Sequence, residues 1–144
     1  MTIHTFKVNL DWSGGRNAVG ALNAERLQTQ ISIPPEMDGP GIGTNPDEML
    51  LGAAATCYLI TLAAMLERSE IDAKLNLTSE GFVDVTNGVF SYKEIHHHII
   101  ILLTEKTERA VRYSKRYALK AEETCMISKA LKGNVNIQVH LTVK

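Results

Sequence analysis

The sequence predicts an α+β fold, because strand patterns and helix patterns occupy separate segments of the chain. Apolar residues alternate with polar ones in several short segments, which is typical of strands. One long run without charge and one amphipathic stripe indicate two helices. The chain has 144 residues, of which 44% are hydrophobic, so we expect a single domain, 1–144, with a packed core.

The overall charge and the cysteine content narrow the class of protein. A net charge of −1 gives no reason to expect binding to nucleic acid or to an anionic membrane. The N-terminal segment lacks the apolar stretch of a signal peptide, and two cysteines are too few for a secreted disulfide scaffold. We therefore expect a cytoplasmic protein whose cysteines are inert, metal-bound or redox-active.

The first third of the chain reads as a meander of three strands, predicted at 3–12, 19–24 and 27–33. These strands are separated by turn residues such as the Ser-Gly-Gly sequence that precedes Arg16. A segment rich in glycine and proline, 35–44, then forms a loop that leads into a helix.

A long helix is predicted to follow, with Asn45 as its N-cap. Pro46 fits the first helical position, and Glu48 completes a capping pattern. The chain carries no charge from Met49 to Leu66, and a helix that is apolar all round must be covered all round. This run meets the length threshold for a membrane span. Its many small residues favour instead a core helix packed closely against another helix, or against a second copy of the chain.

The second half of the chain predicts a hairpin, two helices and a final strand. The hairpin strands are expected at 74–85 and 90–103 on either side of an Asn-Gly turn, with Gly81 as a candidate bulge. The apolar run at 99–103 suggests burial on both faces. Helices are predicted at 105–122 and 124–131, and an alternating strand at 135–143.

Cys57 lies in the middle of the long helix among apolar residues, and two interpretations are open. It can be a small buried hydrophobic residue, because burial raises the pKa of a thiol and makes it inert. It can also be a nucleophile if a cation from elsewhere activates it. Arg16 is the best candidate, and Asp47 or Glu48 could hold that arginine. Plain helix capping explains the two acidic residues equally well.

Cys125 stands at the predicted start of the short third helix, where the first amide groups favour a thiolate. An ordinary residue at a helix start is the alternative. If its thiol can reach Cys57, the two cysteines make a peroxide-reducing pair, in which a sulfenic acid on one condenses with the other.

The run of histidines at 96–98 is the most visible candidate for a metal site. Neighbouring residues on a strand point to opposite faces, so only His96 and His98 share one. Two histidines without further ligands make a poor site, and we expect neither a metal site nor an organic cofactor. The sequence also lacks phosphate-binding and dinucleotide motifs.

Three segments taken together resemble the OsmC/Ohr family, the organic hydroperoxide resistance and osmotically inducible proteins. They are SGGR at 13–16, GTNPDEMLLGAAATC at 43–57 and CMISKAL at 125–131. The resemblance implies an intertwined homodimer in which antiparallel β-sheets wrap around long central helices. It also implies a stress-response thiol peroxidase that acts on organic hydroperoxides and is recycled by a dithiol reductant such as a lipoyl-protein.

The resemblance also assigns roles by position. Cys57 corresponds to the peroxidatic cysteine and Cys125 to the resolving one, so that the two would form a disulfide. Arg16 corresponds to the arginine that holds the thiolate and the peroxide oxygen. Asp47 occupies the place of the family glutamate that pairs with this arginine.

Two positions depart from the family pattern. Asp47 is one methylene shorter than the usual glutamate, so Glu48 is a second candidate for the arginine's partner. Met126 stands where the family usually has proline, which leaves the backbone beside Cys125 less fixed. Both substitutions indicate a divergent, Ohr-like branch.

Our first hypothesis is therefore an enzyme, a cysteine-based peroxidase that forms a sulfenic acid on Cys57. The alternative is a non-catalytic dimer of the same fold, a small-ligand-binding or stress protein in which the cysteines only pack. A thiol hydrolase ranks last, because no base is evident near Cys57.

Overall fold

The computed structural model describes all 144 residues. The chain divides into two compact units, residues 1–49 and 50–144. The predicted α+β class is confirmed, and the expectation of one domain stays a prediction. The elements are β1 (Val8–Asp11), β2 (Gly20–Ala24), β3 (Gln28–Ile31), α1 (Pro46–Arg68), β4 (Ala73–Thr86), β5 (Val89–Leu103), α2 (Glu108–Thr124), α3 (Met126–Leu131) and β6 (Asn136–Val143).

The first unit contains the predicted meander. Strands β1, β2 and β3 pair in order and antiparallel. Strand β1 is shorter than the predicted 3–12, and all four of its residues are exposed. The loop after β3 includes a short 3₁₀ turn, Pro35–Met37.

Helix α1 begins as the sequence predicts. The side chain of Asn45 accepts a hydrogen bond from the Glu48 amide at 2.9 Å, which is the bond expected of an N-cap. Pro46 is the first helical residue, and Asp47 and Glu48 lie in the first turn. Negative charge there is favoured by the helix dipole.

Only one face of helix α1 is buried. Its buried residues recur every three or four positions: Ala54, Tyr58, Leu62, Met65 and Leu66. The helix is long and apolar enough to cross a membrane by length and composition, and only 22% of its most apolar stretch is buried. A large uncharged surface of α1 is therefore left without cover in a single chain.

The second sheet has the order β4-β5-β6. The turn between β4 and β5 is the predicted one, with φ of 53° at Asn87 and 75° at Gly88, as a type I′ hairpin requires. Strand β6 runs parallel to β5. The expected antiparallel pairing holds for β4 and β5 but not for β6, so this sheet is mixed, because α2 and α3 carry the chain back to the same end before β6 begins.

Two details of the hairpin also differ from the prediction. The pairing shifts between Phe82 and Val83, so that Lys93 on β5 is the extra residue, while Gly81 pairs in register with Ile95. The bulge thus lies on β5, whereas it was predicted on β4. The apolar run at 99–103 is buried on one face only, with alternate residues exposed.

Helix α2 packs through a stripe of small residues. It is capped by the side chain of Thr107, which accepts a hydrogen bond from the Ala110 amide at 3.0 Å. Its buried residues are Ala110, Ser114, Ala118 and Ala121. These pack in the core of the second unit with one face of α1 and the buried face of the second sheet.

Candidate active site

The site is built where α2 ends and α3 begins. Cys125 separates the two helices with an extended backbone, φ −58° and ψ 127°, and its amide donates to the Ala121 carbonyl at 2.9 Å. The first amides of a helix have no acceptor within that helix. The amides of Met126 and Ile127 are such groups, and they donate hydrogen bonds to the sulfur of Cys57.

Cys57 lies on α1 at the edge of its buried face and is half-buried, whereas Cys125 is buried. The hydroxyl of Thr61, one turn later, donates to the Cys57 carbonyl at 2.7 Å. The Cys125 thiol donates a hydrogen bond to the Cys57 sulfur. The structure thus brings the two cysteines into direct contact, which their separation in sequence did not show.

The hydrogen bonds give the two thiols different acidities. Burial would raise the pKa of Cys57, but hydrogen bonds from Cys125 and from the Ile127 and Met126 amides outweigh burial and lower that pKa. Burial, followed by the hydrogen bond to Cys57, raises the pKa of Cys125. The negative charge is therefore favoured on Cys57, which is the more accessible sulfur.

This arrangement qualifies one expectation drawn from the sequence and corrects another. The amides at the start of the third helix were expected to favour a thiolate on Cys125. Hydrogen bonds from the Ser128 and Ile127 amides do act in that direction, but burial and the hydrogen bond to Cys57 outweigh them, and the Ile127 and Met126 amides also favour the thiolate on Cys57. A cation was expected to be necessary for activating Cys57, yet hydrogen bonds alone lower its pKa. The sequence signal for this role is a cysteine between two adjoining helices, because such a break releases amide donors.

The other predicted site residues lie in the first unit. The Arg16 guanidinium is exposed and donates to the carbonyls of Met37 at 2.6 Å and Asp38 at 3.1 Å. It also donates to the side chain of Asn17 at 2.8 Å. Arg16 is therefore held against the loop that precedes α1. Its predicted action on the thiolate stays a prediction.

The acidic residues at the start of α1 include the two that were predicted to hold the arginine. The carboxylate of Glu48 accepts a hydrogen bond from the Thr44 hydroxyl at 2.7 Å, and Asp47 lies in the first helical turn. Their predicted pairing with Arg16 also stays a prediction.

The residue next to Cys57 is fixed by a buried polar cluster. The Tyr58 hydroxyl donates to the Ala118 carbonyl at 2.7 Å, and its ring stacks on His97 with centroids 4.7 Å apart. His97 also shares a hydrogen bond of 2.7 Å with Ser79. Burial, with a smaller effect of nearby His98, lowers the pKa of His97 to about 4. These contacts hold α1 at a fixed rotation, which orients the Cys57 side chain.

A cavity of about 600 Å³ opens where α2 and α3 meet the start of β6. Charged side chains such as Glu122, Lys129 and Lys132 line it, together with Ser128. Neither cysteine is among its lining residues.

The chain matches one protein family and several known proteins. Residues 39–140 match the family described as OsmC-like protein. The chain is 52% identical to the uncharacterized protein YmaD of Bacillus subtilis, with 100% of this chain and 97% of that protein covered. It is 24% identical to the organic hydroperoxide resistance protein of Xanthomonas axonopodis pv. citri, covering 90% and 89% of the two chains.

Solved structures show the same fold. The crystal structure of an organic hydroperoxide resistance protein OsmC from Legionella pneumophila aligns with a TM-score of 0.79 at 23% identity, covering 99% of this chain and 100% of that one. An OsmC-like protein of unknown function from Vibrio cholerae aligns with a TM-score of 0.82 at 10% identity, covering 97% and 100%.

Proposed function

Because the chain belongs to the OsmC-like protein family, we propose that it is a thiol-dependent peroxidase that reduces organic hydroperoxides. The single observation that carries this proposal is the hydrogen bond from the Cys125 thiol to the Cys57 sulfur, together with the lowered pKa of Cys57. A nucleophilic thiol must be ionised at working pH. A resolving thiol must be close enough to form a disulfide with it.

The proposed reaction has two steps on the protein. The Cys57 thiolate attacks one peroxide oxygen, the O–O bond breaks, and the leaving alkoxide takes up a proton to become an alcohol. Cys57 is then a sulfenic acid, which condenses with the Cys125 thiol to give a disulfide and water. A dithiol reductant, such as a lipoyl-protein, finally reduces the disulfide and restores both thiols.

Arg16 is proposed as the group that stabilises negative charge during the first step. A guanidinium is always charged and donates in a fixed fork, which suits an oxygen on which charge develops. We propose Asp47 as the carboxylate that orients it, with Glu48 as the second candidate. The low pKa of Cys57 does not depend on this arginine, so its proposed contribution is to the transition state.

Organic peroxides are proposed as substrates rather than hydrogen peroxide. Cys57 lies within an uncharged helical stretch from Met49 to Leu66, and apolar surroundings favour substrates with an apolar group. The relatives from Xanthomonas and Legionella, named for resistance to organic hydroperoxides, support this choice.

A homodimer is the proposed assembly. The exposed face of α1 carries residues that are small or apolar: Gly52, Ala53, Thr56, Ile60 and Ala63. Strand β1 is also exposed, with Trp12 directly after it 44% exposed. Exposed apolar surface of this kind marks an interface, and small residues allow two helices to approach closely. A reducing cytoplasm is the proposed compartment, because two adjacent thiols stay reduced there.

Steady-state turnover of cumene hydroperoxide with a dithiol reductant tests the activity, with hydrogen peroxide as the comparison substrate. We expect a higher kcat/KM for cumene hydroperoxide, no turnover by Cys57→Ser, and no turnover with a monothiol reductant alone at equal thiol concentration. Absence of turnover with either peroxide would leave the non-catalytic alternative, a dimer that binds a small ligand.

The resolving role needs a separate measurement. In Cys125→Ser, one equivalent of peroxide should leave a sulfenic acid on Cys57 that a dimedone reagent labels, detected by mass spectrometry. In the unsubstituted protein the same treatment should give a Cys57–Cys125 disulfide. Equal dimedone labelling of both proteins would contradict the resolving role.

A further inference from the structure

Three histidines meet on the outer face of the second sheet. His96 and His98 lie on β5, and His140 on β6 pairs in register with His98. Their neighbours on β5 point to the opposite face of the sheet, since Ile95, His97 and Ile99 are buried in the core. The cluster therefore faces away from the core. Nothing in the sequence connects His140 with this cluster, because His140 is more than 40 residues from the histidine run.

The His140 imidazole is in close contact with the other two. Nδ1 of His96 lies 3.0 Å from Nε2 of His140. The rings of His98 and His140 stack with centroids 4.7 Å apart. Two carboxylates complete the cluster, with Oε1 of Glu80 at 3.0 Å from Nε2 of His98 and Oε2 of Glu94 at 3.8 Å from Nε2 of His96.

This arrangement leaves a buried nitrogen without a partner. Nε2 of His96 is shielded from solvent and makes no hydrogen bond, and the Glu94 carboxylate at 3.8 Å is too far for one. If Nδ1 of His96 donates a hydrogen bond to His140, Nε2 of His96 is an acceptor without a donor. If Nδ1 accepts that bond instead, Nε2 carries a proton and has no acceptor for it. Either tautomer leaves an unsatisfied group, which costs free energy in a buried position.

The geometry points to a divalent transition-metal site at this cluster, with Zn²⁺ or Ni²⁺ as the fitting ions. Two nitrogen ligands on a tetrahedral zinc ion lie about 3.3 Å apart, given Zn–N bonds of about 2.0 Å. Nδ1 of His96 and Nε2 of His140, 3.0 Å apart, are close to this spacing. With Nδ1 on the metal, Nε2 of His96 carries the proton. A shift of the Glu94 carboxylate from 3.8 Å into hydrogen-bonding distance would then give this histidine the carboxylate partner that metal-bound histidines have.

The third ligand is His98. Its Nε2 now faces Glu80, so no three donors converge on one point as the side chains stand. His98 is 45% exposed, and to reach the metal its side chain would turn away from Glu80 and break the stack on His140. This rotation of His98 would free the Glu80 carboxylate to act as a fourth, oxygen ligand; otherwise water would occupy the fourth coordination position. A site that must first rearrange binds less tightly than a preformed one, so we expect a micromolar, exchangeable metal rather than a structural one.

Calorimetric titration of ZnCl₂ or NiCl₂ into protein without a histidine tag tests the site. The protein carries Cys57→Ser and Cys125→Ser, because thiols would themselves bind zinc. We expect one ion per chain. His140→Gln and His96→Gln should each weaken binding at least tenfold, Glu94→Gln should weaken it less, and His4→Gln, an exposed histidine outside the cluster, should leave it unchanged.

Two results would overturn the site: no saturable binding to the thiol-free protein, or equal affinity in the His140→Gln and His4→Gln proteins when circular dichroism shows both folded. Binding should also weaken as the pH is lowered from about 7.5 to about 5.5, because the ligands must be unprotonated. An unchanged affinity over that range would likewise contradict imidazole ligands. The proposed peroxidase reaction does not depend on any of these outcomes.

Discussion

The Cys125 thiol donates a hydrogen bond to the Cys57 sulfur, although Cys57 lies on α1 and Cys125 lies between α2 and α3. This bond lowers the pKa of Cys57 and raises that of Cys125. One proton is thus held on the buried sulfur, and the charge is favoured on the sulfur that is partly exposed. The chemistry of each thiol depends on the other.

The first prediction concerns the pH dependence of alkylation at Cys57. The reactive species is the thiolate, so the rate of modification by iodoacetamide rises with pH through the pKa of Cys57. Because that pKa is lowered, the midpoint should lie below the ordinary range for cysteine. In Cys125→Ala the strongest donor is lost, and the midpoint should move to higher pH. Equal midpoints in the two proteins would show that Cys125 does not stabilise the thiolate.

The second prediction isolates a backbone donor. Met126→Pro removes the amide that donates to Cys57. The substitution suits the fold: the position is the first of α3, where proline is favoured, and Cys125 already has the extended backbone that a following proline requires. We expect the alkylation midpoint of Cys57 to rise. Met126→Ala is the matched control, because it trims the same exposed side chain and keeps the amide.

A rise of similar size in both Met126 variants would assign the effect to the side chain instead. Circular dichroism and the melting temperature must show both variants folded. The comparison also tests the physical meaning of one departure from the family pattern, since methionine in place of proline supplies a donor that proline lacks.

The third prediction concerns Arg16. Arg16→Ala should lower kcat/KM for cumene hydroperoxide about a hundredfold, the usual cost of removing a group that stabilises a developing oxyanion. Arg16→Lys keeps the charge without the planar fork and should recover only part of the loss. Arg26→Ala removes an exposed arginine paired only with its neighbour Glu25 and serves as the control. Equal activity of the Arg16→Ala and Arg26→Ala proteins would remove Arg16 from the mechanism.

The same assay separates the two candidate partners of the arginine. If Asp47 orients Arg16, Asp47→Ala should reduce activity more than Glu48→Gln does. Glu48 accepts a hydrogen bond from Thr44, so its substitution is expected to affect stability first. The reverse order would transfer the role to Glu48.

Local sequence patterns predicted the elements of this fold well and their long-range relations less well. The cap at Asn45, the Asn-Gly turn and the stripe of α2 depend on residues within one or two turns of each other, so they are visible in sequence. The parallel pairing of β6 and the position of the bulge at Lys93 depend on which strands meet. Alternation of apolar residues specifies a strand but not its partner.

The candidate site shows the same difference between local patterns and long-range contacts. Motifs singled out Cys57 and Cys125, yet the acidity of each thiol depends on donors that only the assembled helices provide. The amides of Met126 and Ile127 are backbone groups, so no pattern of side chains predicts that they donate to Cys57. His140 is another example, because its contact with His96 spans two strands that meet only in the folded chain.

The fourth prediction concerns the exposed face of α1. Ile60 is 64% exposed in a single chain, and in the proposed dimer it would be covered. Ile60→Arg should therefore convert the dimer to a monomer or lower its association constant strongly, because it would bury an unpaired charge. Leu119→Arg alters a leucine of α2 that is 52% exposed and is the control. Sedimentation velocity measures both; a monomeric unsubstituted protein would refute the dimer itself.

The fifth prediction concerns stability at acid pH. Burial and nearby His98 lower the pKa of His97 to about 4, while in the unfolded chain an ordinary histidine titrates near 6.5. Between these values the unfolded state binds a proton that the folded state does not, so stability rises with pH across this window and is lost as the pH falls. A difference of this size corresponds to stability on the order of 3 kcal/mol.

His97→Phe tests this assignment, because phenylalanine can keep the ring stack with Tyr58 but cannot take up a proton. The variant should lose some stability at pH 7, since Ser79 loses its partner. Its urea midpoint should then fall less than that of the unsubstituted protein between about pH 6.5 and 4.5. Parallel declines in the two proteins would mean that other groups cause the acid sensitivity. A flatter profile in the variant would show that the folded protein keeps His97 neutral, as its burial against Tyr58 requires.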